Sequence, residues 1–393
     1  MPVRATKRGV SRTPLRRDCD VLICGASFAG LAVARQLSGS GAEVLLIDRY
    51  EIGERQTSAC GIPTQWLFKL SLQSSLRQTF DELLVHTPAA SVRWSLPWTF
   101  STFDYRELCA LMWEQATLPE SSFETAKVDR ITRARDPAAS HTVHTDRGEI
   151  RAPLVVDALG WRRVLARSSE IQPPNAPLSR GLEVHPRSSG DQMELWIDPR
   201  YVRAGYGWSF PARDEMRVGV GSFWPAHHVK EPTVRLARDL DLRSERYQGN
   251  WIPHELRPAV EGGVFFVGDS AGHCLPLTAE GIRTAFYFGI ACGRELRGVL
   301  EGTLRPEEAL RRYGAFSDAH HWKYRWLLRS QRIIGALNTT PLVGALSKAM
   351  GRRSIAHWAF QHYLAIAPPS FVDREKPPRA GVRTAPAVRL DPL

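Results

Sequence analysis

The feature that most constrains this chain lies close to its start. Asp20-Val21-Leu22-Ile23-Cys24 is a short apolar run, and Gly25-Ala26-Ser27-Phe28-Ala29-Gly30 follows it as a turn of small residues. A helical pattern then spans Leu31 to Leu37, and Glu43-Val44-Leu45-Leu46-Ile47-Asp48 reads as a second strand that ends in an acid. Strand, tight turn, helix and strand in this order make a dinucleotide-binding unit. Gly25 permits the turn. Ser27, in the place of the second glycine, is small enough for a pyrophosphate to approach the backbone, and Gly30 permits close packing of helix on strand. The helix N-terminus faces the phosphates, and Asp48 is positioned to accept ribose hydroxyls.

The fingerprint alone does not separate FAD from NAD, because both present an adenosine diphosphate half to the same turn. Two distant segments decide. Leu154-Val155-Val156-Asp157-Ala158 is a buried strand stopped by Gly160, and Val264-Phe265-Phe266-Val267 is another that ends at Gly268-Asp269, with a long helix expected from Gly281 to Leu300. A simple dehydrogenase needs neither, whereas a flavoprotein does. Between them, Leu182 to Phe223 alternates in the manner of antiparallel strands rich in Trp, Tyr and Val.

The expected architecture is therefore α/β: a discontinuous Rossmann-type FAD-binding domain, an antiparallel-sheet substrate domain and C-terminal helices. The FAD-binding domain is assigned to 18–165 and 255–305, and the substrate-binding regions to 60–104 and 166–254. Residues 306–367 read as helical, with helices over 306–335 and about 342–365. Residues 1–17 read as a disordered basic tail and 368–393 as a second disordered tail.

Composition narrows the partners. Net charge is +11, divided as +6 over residues 1–17, −4 over 18–304, +7 over 305–353 and +2 over 354–393. The catalytic body is close to neutral and carries no nucleic-acid module signature, so the basic balance does not imply nucleic acid. Apolar runs fall short of the roughly 20 residues of a membrane span. In 306–335, Arg325, Arg329 and Arg332 lie along one helical face and Trp322, Trp326 and Ile333 along another, an arrangement compatible with weak membrane-surface association. Cys19, Cys24, Cys60, Cys109, Cys274 and Cys292 show neither CxxC pairing nor metal-ligand spacing, so no metal is expected and a reduced, cytoplasmic protein is.

With these motifs in hand, the chain resembles the flavoprotein superfamily of aromatic hydroxylases (group A flavoprotein monooxygenases) and, within it, the FAD-dependent geranylgeranyl reductase-like family. The fingerprint with Asp48-Arg49, Asp104-Tyr105-Arg106, Val155-Val156-Asp157-Ala158-Leu159-Gly160 and Val267-Gly268-Asp269-Ser270-Ala271-Gly272 occur in the family's order. Pro276-Leu277-Thr278-Ala279-Glu280-Gly281-Ile282-Arg283 is similar to the family's P-L-T-G-E-G-I, with alanine at 279 where glycine is usual. Tyr206-Gly207-Trp208-Ser209-Phe210-Pro211 resembles the segment lining the reductase substrate cavity, and Cys60-Gly61 matches a pair placed near the flavin ring. The stretch from Cys60 to Trp98 otherwise departs from the family.

The resemblance implies non-covalent FAD held by Gly25, Ala26, Ser27, Phe28, Ala29, Gly30, Asp48, Arg49, Cys60, Gly61, Arg106, Val128, Gly160, Gly268, Asp269, Gly281 and Ile282. Arg106 would contact the cofactor or instead pair with Asp104 as a cap, and the Val128 backbone would read the adenine. Cys60, Tyr206, Trp208 and Phe210 are the candidate catalytic residues. Cys60 is either a proton donor or a packing atom beside the flavin, and His273 and Glu280 are further candidate acids. The activity implied is hydride transfer from reduced flavin to a carbon–carbon double bond of an apolar, prenyl-like substrate. The alternative is a flavin-dependent monooxygenase or halogenase acting through a peroxyflavin; Lys69 is the only nearby lysine that could be a halogenase-type amine, and its ordinary reading is a surface lysine. NAD(P)H or a separate flavin-reducing partner would deliver electrons, since no second fingerprint is present.

Overall fold

In the computed structural model, residues 13–56, 58–117, 121–134, 139–167, 178–336 and 340–373 are described. The apolar runs found by pattern become the middle of a six-stranded sheet. Its order is Val260–Glu261, Val264–Phe266, Leu154–Asp157, Val21–Cys24, Val44–Asp48 and Ser121–Thr125. All pairs are parallel except the first. Val21 to Cys24 and Leu154 to Asp157 are buried throughout, which is why they read as continuous rather than alternating apolar runs.

The helix Phe28–Leu37 packs on this sheet, and the long helix Ile282–Leu300 packs on that helix in turn. Two glycines make the second contact possible. A methyl group at Gly289 would lie 2.7 Å from Ala32 Cβ, and one at Gly293 would lie 2.5 Å from Gln36 Cβ. The contact advances in the same sense along both chains, so the helices run side by side with their N-termini toward the same end.

An eight-stranded sheet forms the second layer, in the order Gln248–Pro253, Leu178–Val184, Met216–Ser222, Gly205–Pro211, Glu194–Trp196, Leu76–His86, Ser91–Phe103 and Gly61–Pro63. It unites segments from either side of the cofactor strands. One pair, Glu194–Trp196 with Leu84–His86, is parallel in a sheet that is otherwise antiparallel. Helix Lys230–Asp239 covers one face through Leu236 and Ala237. A small four-stranded sheet, Arg17–Asp18, Gly148–Ala152, His141–Thr145 and Val128–Thr132, completes the cofactor side.

Three boundaries differ from the sequence expectation. Leu15 is buried and Arg17–Asp18 pair in parallel with Ile150–Arg151, so the last residues of the basic stretch belong to the body. Pro369–Asp373 form a 3-10 turn with Phe371 buried, so the second tail begins later than 368. Residues 1–12 and 374–393 lie outside the described residues. The two long C-terminal helices are four: Pro306–Asp318, His321–Ala336, Thr340–Met350 and Arg353–Leu364. All six cysteines are buried and unpaired.

Candidate active site

Gly25 has φ of +114°, and a methyl group there would sit 2.2 Å from the Ala158 carbonyl oxygen; at Gly30 it would sit 1.8 Å from that of Gly25. Glycine is required at both for different reasons, conformation at the first and space at both. The Ala26 N–H donates to Asp48 Oδ2 at 2.9 Å and the Tyr50 N–H to Oδ1 at 3.0 Å, which ties the fingerprint turn to the acid ending the second strand. Ser27 heads the helix without capping it, and its Oγ lies 3.2 Å from the buried Tyr105 hydroxyl. Phe28 and Ala29 are buried, and Phe28 meets Phe103, Tyr105 and Phe286 edge-on.

The flanking residues are less tightly placed. Arg49 is exposed, its guanidinium 4.9 Å from the Tyr50 ring centroid. Arg106 is exposed beside Gly53. Asp104 caps its helix by accepting from the Glu107 N–H at 2.9 Å and pairs with Arg77 at 2.5 Å, so the capping partner is not Arg106. Val128 is buried and paired with Thr145 across a bulge.

Asp157 does what its motif alone did not reveal. Fully buried, it accepts from Ser270 Oγ at 2.7 Å, the Leu159 N–H at 2.9 Å and the Leu165 N–H at 2.8 Å. It knots the loop holding Gly160 to the 3-10 turn Gly268–Ala271, which carries Asp269. Burial pushes its pKa up, and the three donors oppose that. Asp157→Asn turns one acceptor oxygen into a donor facing a donor. Unfolding of the variant in urea is expected to show a loss of about 1–3 kcal/mol, and an unchanged midpoint would remove this role.

The same knot draws in two arginines the sequence reading passed over. Arg163 donates to the Ser270 carbonyl at 2.7 Å, and its guanidinium lies 3.7 Å from the Phe266 centroid. Arg257 donates to the Trp161 carbonyl at 2.8 Å, but its Nη2 is buried without a hydrogen-bond partner among the described residues. Asp269 is pushed up to about 6 by burial, against the pull of Arg257.

The loop from 276 to 281 links cofactor and substrate layers. A methyl group at Gly281 would lie 3.7 Å from Asp269 Oδ1, and the long helix begins there, at Ile282, without a side-chain cap. Ala279 has φ of +52°, a region where a Cβ costs about 1–2 kcal/mol, which explains the glycine usual in the resembling motif. Glu280 grips the fully buried Arg283 at 2.7 and 2.8 Å and is therefore not a free acid. His273 is fully buried, stacked 3.7 Å from Phe288, and its pKa is driven well down by burial; it is a neutral core residue. Lys69 sits in a surface pair with Asp373, away from any role as a reactive amine.

On the substrate side, Tyr206, Trp208 and Phe210 are half-buried while Gly205, Gly207, Ser209 and Pro211 are buried, so the three aromatics share one face. Tyr206 donates to the Thr278 carbonyl, whose residue also meets the Tyr363 hydroxyl at 2.5 Å. Phe100 faces Phe210, and Phe360 from the C-terminal helix faces Trp94 and Trp98. The Cys60 backbone is held through its carbonyl by the Phe103 N–H at 3.0 Å and by Arg217, and Gly61 admits the Phe100 ring. The Cys60 thiol is fully buried, and burial raises its pKa well above the usual value, which makes it a poorer acid than a free thiol.

Behind Trp208 runs a polar chain that the sequence reading missed. Glu183 pairs in register with Gly219, and Gly219 with Trp208, so Glu183 shares the aromatic face. The Trp208 Nε1–H donates to Glu183 Oε2 at 3.2 Å. His185 contacts Glu183 through Nε2 at 2.8 Å and Glu215 through Nδ1 at 3.2 Å. Both ring nitrogens thus face carboxylates. Burial disfavours the charged ring, but the two hydrogen bonds outweigh it and the His185 pKa is raised. Glu215, held down to about 2 by His185 and Arg217 despite its burial, also pairs with the part-exposed Arg246 at 3.2 Å and lines a cavity of about 150 Å³. Arg217 donates onward to the Ala59 carbonyl at 2.8 Å.

These residues fit FAD. The turn at Gly25 and Gly30 has no room for side chains, two helix N-termini lack side-chain caps, and a buried guanidinium nitrogen beside Asp269 lacks an acceptor. The fold and the cradle define a Rossmann-type FAD flavoprotein.

The family model for Lycopene cyclase protein matches residues 20–194. Digeranylgeranylglycerophospholipid reductase 3 of Methanosphaera stadtmanae is 24% identical over 77% of this chain and 83% of its own length. A geranylgeranyl bacteriochlorophyll reductase-like structure from Thermoplasma acidophilum superposes with a TM-score of 0.75 at 17% identity, covering 91% of this chain and 98% of its own. A probable FAD-dependent monooxygenase from Pseudomonas aeruginosa gives 0.61 at 18%, covering 88% and 100%. The chain is an FAD-dependent oxidoreductase that is similar in sequence to the geranylgeranyl reductases and similar in fold to a reductase-like structure.

Among the described residues no helix is long and apolar enough to cross a membrane.

Proposed function

We propose that the protein reduces a carbon–carbon double bond in a long apolar, prenyl-like chain. The observation that carries this reading is the joining of an aromatic wall to a buried ionisable chain: Tyr206, Trp208 and Phe210 in front, Glu183, His185 and Glu215 behind. Alkene reduction needs both halves, an apolar surface for the substrate and a proton for the second carbon. FAD held by the fingerprint turn and the Gly281 helix start would, in its reduced form, supply hydride chemistry for the first carbon.

Of the acids considered, Glu280 is committed to Arg283, His273 to the core, and the Cys60 thiol holds its proton tightly. Glu183 and His185 remain. Protonated His185 passes a proton to Glu183 and regains one through Glu215 from the solvent-open cavity, while Trp208 keeps the Glu183 carboxyl oriented. Cys60 would serve as a packing residue rather than as the proton donor. The other machinery orients and excludes water: Asp157 fixes the cofactor turns, and Phe100, Trp98 and Phe360 close the wall.

The test is anaerobic stopped-flow spectroscopy of the chemically reduced protein mixed with a geranylgeranyl-chain substrate, and separately with dioxygen. Flavin reoxidation by the prenyl chain, with saturated product recovered, supports the reductase. Reoxidation by dioxygen alone, with none by the prenyl chain, replaces it with an oxygen-using reaction such as hydroxylation or halogenation.

A further inference from the structure

We propose that the outer face of the C-terminal helices docks on an anionic lipid bilayer. Nine large hydrophobic residues are strongly exposed among the described residues, and six of them, Trp322, Trp326, Ile333, Leu342, Leu346 and Trp358, fall on the three helices between 321 and 364. Such clustering on one layer is not the scatter of an ordinary surface.

The charge on the same layer has one sign. From residue 319 to 372 the chain carries seven lysines and arginines and no aspartate or glutamate. On helix His321–Ala336, at about 100° per residue, Trp322, Ile333 and Trp326 fall within roughly 40° of one another, and Arg329, Arg325 and Arg332 follow within roughly 80° on one side. All six are exposed. The tryptophans and arginines are therefore neighbouring stripes of a single exposed face, which corrects the sequence reading of two separate faces. Indoles flanked by guanidinium groups match the boundary between headgroups and acyl chains, and the uniform positive charge matches anionic lipid.

The inner faces of these helices reach the substrate side. Gln331 accepts the Leu277 N–H at 2.7 Å, Tyr363 meets Thr278, and Phe360 faces Trp98. A docked layer thus lies between the bilayer and the aromatic wall, the geometry an apolar substrate dissolved in lipid requires. Docking does not depend on the reaction proposed above.

The test is co-sedimentation of the full-length, FAD-loaded protein with vesicles of phosphatidylcholine alone and of phosphatidylcholine with about 30% phosphatidylglycerol at low salt. Binding to the anionic vesicles is expected, weakened more than about tenfold by the paired change Trp322→Ala and Trp326→Ala. Each of Arg325→Gln and Arg329→Gln is expected to weaken it by about fivefold. Flavin absorbance and thermal midpoint report whether each variant is folded; the arginine variants, wholly on the surface, keep the test valid should the tryptophan pair fail. Absence of vesicle binding overturns the proposal. So does binding unaffected by all four changes, which would assign it to the chain ends, and so does a stable dimer that the tryptophan changes dissociate.

Discussion

Gly30→Ala yields a protein that purifies without FAD. The added methyl group would stand 1.8 Å from the Gly25 carbonyl oxygen, a backbone atom that no rotamer change can move. Ordinary overpacking costs about 1–3 kcal/mol because side chains give way. Here the helix must lift off the turn, and the N-terminus that faces the pyrophosphate moves with it. Gly25→Ala is expected to do the same, through both its φ of +114° and the 2.2 Å approach to Ala158. Gly41→Ala is the control, since Gly41 also has positive φ, +74°, but nothing lies within 4 Å of an added methyl group. The ratio of flavin to protein absorbance after gel filtration decides. A yellow, stoichiometric Gly30→Ala protein would mean that the cradle is elsewhere.

Glu183→Gln is expected to slow double-bond reduction by about 10²–10⁴-fold, the range general acids contribute, while flavin content and the rate of flavin reduction stay unchanged. Glutamine preserves the shape and can still face Trp208, but it cannot relay a proton. Cys60→Ala should cost less than about tenfold by the same reasoning, because that thiol is a weak acid. Wild-type turnover should fall as pH rises through the elevated pKa of His185, where the imidazolium and its Nδ1–H or Nε2–H to a carboxylate are lost. Single-turnover rates for the two variants separate the roles: a large loss in Cys60→Ala with little in Glu183→Gln would return proton delivery to the thiol.

The cofactor side was legible because its signals are local. A glycine turn, a terminal acid at Asp48 and the strand ends at Gly160 and Asp269 each announce themselves within a few residues, and two-residue alternation was enough to put Tyr206, Trp208 and Phe210 on one face. The missing parts were contacts over distance. Asp157 meets Ser270 across 113 positions, and Arg217 meets Ala59 across 158. Glu183 did leave a trace, a carboxylate on the same two-residue period as Ser179 and Gly181 in the strand Leu178–Val184. His273 and Glu280 misled because sequence places them near the flavin but does not reveal a stacked ring or a buried arginine. Helix ends at Asp318 and Met350 were missed because neither break carries proline, and burial of Leu15 and Phe371 rescued residues that composition assigned to tails.

The glycine contact between the two cofactor helices has a last consequence. Gly289 meets Ala29 and Ala32 while Gly293 meets Val33 and Gln36, so the helices are in fixed register. Counting back to their first residues, the long helix starts about four to five residues ahead of its neighbour, an overhang of roughly 7 Å at 1.5 Å per residue. The two positive helix ends act as the jaws of a caliper whose opening cannot be adjusted. A side chain added at Gly289 or Gly293 would force the helices apart and shift one positive end relative to the other.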